Sequence, residues 1–77
     1  MNLDTERIDD AVMALLLLGL HDEQRAWKSF DWDALNRLHA KGWISDPVGK
    51  EKSVVFTPEG RQRSEQLLQA LFGRETG

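Results

Sequence analysis

The 77-residue chain has no cysteine and no tyrosine, only two prolines and only two histidines. Without cysteine there is neither a disulfide to staple a small fold nor a thiolate zinc site. His21 and His39 stand 18 residues apart, without the close helical spacing of a metal-binding pair. No glycine-rich phosphate loop is present, and no Ser-His-Asp set can be argued from the order of residues. No cofactor, no metal and no catalytic residue is therefore expected, and the chain is not read as an enzyme. Its longest apolar run, Ala11–Leu20, covers ten residues, whereas a membrane span needs about 20. The residues before that run are mostly acidic, unlike the basic start of a signal peptide. The expected location is cytoplasmic, with no membrane partner and no small-molecule substrate indicated.

What is present suits one globular domain, 1–77, with an ordered core over about 4–72. Hydrophobic residues make up 40% and charged residues 30%, with no repeat, low-complexity tract or linker. A domain this small buries a modest core, and self-association is a common way to enlarge one. The net charge is −3, unevenly spread. Residues 1–25 carry −4, whereas 37–63 carry +3 through Arg37, Lys41, Lys50, Lys52, Arg61 and Arg63. Those six bases are the candidate nucleic-acid surface, weighed against ordinary solvated faces and against an acidic whole chain.

A first helix starts near Asp4 or Thr5, with Glu6, Asp9 and Asp10 as acids near the positive end of its dipole. Ile8, Val12, Leu15, Leu16 and Gly19 share one face, while Met13, Leu17, Leu18 and Leu20 fall on others. A helix apolar all round needs cover on more than one side, either from the core or from a partner. Residues 21–30 form a short turn of helix or an irregular connection. A second helix spans 31–41, capped by Ser29 or Asp31, with Leu35 and Leu38 inward and Gly42 as its left-handed stop. Trp43–Ser45 and Ser53–Phe56 read as strands of a hairpin with a turn at 46–50. Thr57-Pro58-Glu59 opens a last helix with Ser64, Leu67, Leu68 and Leu71 inward, ending at Gly73.

This order is mainly α with a small β-hairpin (α-α-β-β-α). Leu35-Asn36-Arg37-Leu38-His39-Ala40-Lys41-Gly42-Trp43-Ile44 resembles the end of a recognition helix in the winged helix–turn–helix superfamily. Val54-Val55-Phe56-Thr57-Pro58-Glu59-Gly60 resembles the exit from its wing. The resemblance implies a winged-helix-like fold and a DNA-binding role using helix 31–41 and wing 49–53. Two features depart from it. The helix before the recognition helix is truncated, and Asp31-Trp32-Asp33 puts two carboxylates where phosphates would lie. The whole chain also resembles an uncharacterised bacterial family of short proteins, a domain of unknown function. That likeness runs through Asp9-Asp10-Ala11-Val12, Leu20-His21-Asp22, Arg25–Leu35 and Gly42–Val54.

Trp27, Phe30 and Trp32 crowd three aromatic rings into six residues, with Trp43 nearby. They either seal the core where a helix is missing or form, with Leu17 and Leu18, a partner surface, since tryptophan is favoured at interface hot spots. The expected function is a non-enzymatic winged-helix-like interaction module that self-associates as a homodimer or binds a protein partner. The alternative is a small DNA-binding transcriptional regulator.

Overall fold

Asp4 opens the first helix by accepting a hydrogen bond from the Arg7 backbone N–H at 3.1 Å, which satisfies one of the free donors at a helix start. The computed structural model describes residues 1–22 and 24–74. In it α1 runs Thr5–Leu16 and tightens into a 3-10 turn, Leu17–Gly19. A three-residue strand follows, β1 (Arg25–Trp27), then α2 (Trp32–Ala40), β2 (Ser53–Val55) and α3 (Pro58–Phe72). The fold is mainly helical with a small antiparallel sheet, in a winged-helix-like arrangement. Its least extent is 19 Å, room for about two helix layers.

The side of α1 that faces the core differs from the one expected. Its buried residues are Asp9, Val12, Met13, Ala14 and Leu16, while Ile8 and Leu15 are half-buried. The reason is Asp9, which has no exposed surface and receives two hydrogen bonds from Arg37 of α2, Nε and Nη2 each at 2.7 Å. Lys41 Nζ stands 3.6 Å away and also reaches Glu6 at 3.3 Å. The hydrogen bond to Asp9 raises the Arg37 guanidinium above its ordinary value, so it stays charged throughout any working pH. Asp9 and Lys41 thus belong to the α1–α2 contact, and the carboxylate sits on the inward stripe with Val12, Met13 and Leu16.

α2 is capped by Asp31, which accepts the Ala34 N–H at 3.1 Å, and it buries Ala34, Leu35 and Leu38. Gly42, at φ 78°, ends it as expected, because only glycine takes that backbone without strain. The chain then meets the start of α3. Thr57 donates its hydroxyl to the Gly42 carbonyl at 2.7 Å, accepts the Gly60 N–H at 2.9 Å, and donates its own N–H to the Trp43 carbonyl at 3.0 Å. Gly60 lies directly on Trp43, where an added Cβ would fall 1.8 Å from the Trp43 carbonyl oxygen.

The sheet departs from the expected hairpin. β2 pairs chiefly with β1, in the register Arg25–Val55, Ala26–Val54 and Trp27–Ser53. On the other side of β2 the Trp43–Ser45 limb makes one bridge, Ile44 to Phe56. It stops there for a local reason: Ser45 turns its hydroxyl, not its carbonyl, to the Val55 N–H at 2.9 Å. The chain then leaves through Pro47, which has no N–H to donate. β1 lies in the segment expected to be helical or irregular. It is visible in three dimensions because Ala26 is fully buried between exposed Arg25 and Trp27.

Val12, Met13, Leu16, Ala26, Leu35, Leu38, Ile44, Val54, Phe56 and Leu67 share one core, with Phe30, Trp43 and Leu17 packed partly against it. On α3, Ser64 and Leu67 face inward, whereas Leu71, expected inside, is exposed beside Phe72.

Two stability predictions follow from these contacts. Arg37→Leu strands a buried carboxylate and should lower the melting temperature by more than about 10 °C. The double variant Asp9→Leu/Arg37→Leu should recover at least half of that loss, both read by thermal circular dichroism. Gly60→Ala must push α3 off the Trp43 backbone, and urea unfolding should show a loss of at least about 2 kcal/mol.

Candidate functional site

Residues 20–22, 24–32 and 45–53 meet at one edge of the molecule, and side chains rather than a second helix hold that edge together. Lys28 is its staple. Its backbone N–H donates to the Lys52 carbonyl at 3.0 Å. Its ammonium donates to the carbonyls of Pro47 at 2.6 Å and Gly49 at 3.2 Å, and lies 5.4 Å from the centre of the Trp32 ring. The loop at 47–49 is thereby tied to the start of α2. Asp46 tightens the loop further by accepting the Val48 N–H at 2.9 Å.

Trp27 is held from the other side. His21 stacks on it with ring centres 4.1 Å apart and planes inclined by 24°. The His21 Nε2 is hydrogen-bonded to Ser53 Oγ at 2.8 Å, so the imidazole bridges the first turn after α1 to β2. Asp22 fixes the approach to β1 by accepting the backbone N–H groups of Gln24 at 2.9 Å and Arg25 at 2.7 Å. Those two hydrogen bonds, first Gln24 and then Arg25, hold the Asp22 carboxyl below its ordinary 3.8.

The five residues expected at a partner surface divide. Trp27 and Trp32 are 48% and 53% exposed, and Leu18 is also exposed. Leu17 and Phe30 are half-buried against the core and leave the set. Val48, absent from the expected set, is exposed on the loop that Lys28 ties down. The rings therefore divide: Phe30 and Trp43 pack partly against the core, while Trp27 and Trp32 face outward. The His21–Ser53 contact joins residues 32 apart across the sheet, which no local pattern announces. An imidazole beside a hydroxyl can serve acyl transfer. Here, among the described residues, no carboxylate orients the second ring nitrogen, and the ring stacks on Trp27.

The six bases also divide. Arg37 and Lys41 are paired with Asp9 and Glu6, and Lys41 lies 5.1 Å from the Trp43 ring centre. Arg61 is bonded to Glu65 at 2.9 Å, and Arg63 rests 5.8 Å from the Trp43 ring centre. Lys50 and Lys52 are the exposed pair on the wing loop. An open cleft of about 350 Å³ is lined by Gln24, Phe56, Thr57, Pro58 and Arg61. Among the described residues no group of three His, Asp or Glu can hold a metal ion, and no helix is long and apolar enough to cross a membrane.

The Asp22 geometry gives a pH prediction. A carboxyl lowered by folding contributes stability that is present above its unfolded value and lost as pH falls through the folded one. In a carbon-detected NMR titration Asp22 should reach its midpoint below 3.8. Asp22→Asn should flatten that part of the acid unfolding curve.

The model of a family described as "Domain of unknown function (DUF6429)" matches residues 4–74. A protein of Sinorhizobium fredii (strain NBRC 101917 / NGR234), described as "Uncharacterized protein y4hR", is 57% identical over 74 residues, 96% of this chain and all of the relative. No solved structure matches. With the family match beginning at the cap of α1 and ending just past α3, the chain belongs to the DUF6429 family, a short domain of unknown function.

Proposed function

We propose that this chain is a non-enzymatic interaction module that binds a protein partner through its tryptophan-bearing edge and also self-associates. One observation carries the reading: two tryptophans, each about half exposed, are held in place by intramolecular contacts instead of being left free. A ring already ordered by His21 or Lys28 loses little conformational freedom when a partner covers it. Tryptophan is also the residue most often found to dominate an interface when truncated. Leu18 and Val48 add apolar surface, and Lys50 and Lys52 favour a partner segment that carries carboxylates.

The acidic start of α2, with Asp31 and Asp33 exposed, weighs against a major-groove role for that helix. So does the pairing of Arg37 and Lys41 with α1. The reading takes the cytoplasm as the place of action.

The test is cross-linking capture of a partner, followed by its purification and direct binding to the wild type and to Trp27→Ala/Trp32→Ala. Both rings are surface features, so circular dichroism should be unchanged while affinity falls at least tenfold. Unchanged affinity in the double variant overturns the reading. So does duplex DNA binding that weakens steeply with salt and disappears in Lys50→Glu/Lys52→Glu.

A further inference from the structure

The first half of α1 and the last turn of α3 lie side by side, away from the tryptophan edge. Between them runs a groove of about 250 Å³ lined by Arg7, Asp10, Ala11, Leu71 and Phe72. Its apolar lip is exposed, Leu71 by 47% and Phe72 by 53%. α3 continues the helical pattern for a full turn past Leu67, its last fully buried residue. A terminal turn carrying leucine and phenylalanine into solvent adds little burial energy to a domain with so small a core, and covering it would add apolar area removed from water.

The charges on the rim indicate what covers it. Arg7 and Asp10 are three residues apart on α1, so they project from neighbouring positions. Among the described residues neither side chain has an ion-pair partner within the chain. One unpaired cation and one unpaired anion flank the same apolar groove. Such a rim is self-complementary: under a two-fold axis Arg7 of one copy meets Asp10 of the other, and the reverse contact follows by symmetry. The apolar lips of Leu71 and Phe72 then meet across the axis.

The geometry points to a second copy of this chain as the occupant of the α1–α3 groove, in an isologous dimer closed by Phe72 and by two Arg7–Asp10 pairs. This inference gives the self-association in the proposed function a location separate from Trp27 and Trp32. The two can therefore fail independently.

Sedimentation equilibrium of the whole chain tests it. The expected species has twice the 8.8 kDa chain mass. Phe72→Glu should give a folded monomer, with α-helical circular dichroism retained because the side chain lies outside the core. Arg7→Asp and Asp10→Arg each place like charges together twice, and each should weaken the dimer at least tenfold. Arg7→Asp/Asp10→Arg should restore it, since the swapped charges meet again across the axis. A wild-type monomer at millimolar concentration overturns the inference. So does a dimer indifferent to Phe72→Glu, a charge swap that fails to restore association, or a dimer broken by Trp27→Ala/Trp32→Ala and not by Phe72→Glu.

Discussion

The orientation of α1 against α2 depends on a carboxylate with no exposed surface. Asp9 cannot remain charged inside the fold unless something replaces its lost water, and the Arg37 fork does so with two short bonds. A bidentate pair tolerates little sliding or rotation. Once Asp9 faces α2, Val12, Met13 and Leu16 must face the core with it, because they lie one turn or two turns further along the same helix. Leu18 is then carried outward and Leu17 to the margin. A purely apolar contact between two leucine-bearing helices would have allowed several registers. The ion pair selects one.

The second constraint is the short span between α1 and α2, where a winged helix–turn–helix would hold another helix. β1 and Lys28 substitute for it. β1 contributes Ala26 to the core and one backbone ladder to β2, while Lys28 closes the gap with an ammonium that meets two carbonyls and an aromatic face. A side chain in that role covers much less surface than a helix would. Trp27 and Trp32 remain half exposed beside it.

How much of this was legible in the sequence follows the range of each interaction. Local signals were readable: the caps at Asp4 and Asp31, each one of two candidates, the cap at Thr57, the left-handed Gly42, the inward Leu35 and Leu38, and the end of α3 at Gly73 all depend on neighbours within a few residues. The likeness to a short uncharacterised family was legible too, and so was the helical class with its small sheet. Long-range partnerships were not. β1 is three residues long, too short for alternation to register, and its partner lies beyond α2. Asp9 reads as a solvated helix-start acid because its type and position fit that role; only Arg37, 28 residues on, reveals otherwise. The same blindness placed Arg37 and Lys41 among the free bases. The exposed aromatic edge was half legible: aromatic crowding located the segment, but crowding cannot tell Phe30, packed inward, from Trp32, turned out.

The placement of exposed apolar groups argues against treating them as random surface. Scattered single hydrophobes need no explanation, whereas grouped ones do. Apart from Met1 and Leu3 near the start of the chain, the exposed large apolar groups here gather at two places that share no residue and lie on different elements. One is the edge built from β1, the start of α2 and the wing loop; the other is the groove between the first half of α1 and the last turn of α3. The first is ordered by contacts within the chain, as a site for another molecule would be. The second is flanked by unpaired charges of both signs, as a self-complementary face would be. A two-layer slab 19 Å thick has little interior to spend on function. On the proposed reading, assembly would use the helix pair and recognition the strand-and-wing edge, and neither surface draws on Asp9 or Arg37, whose contact fixes α1 against α2.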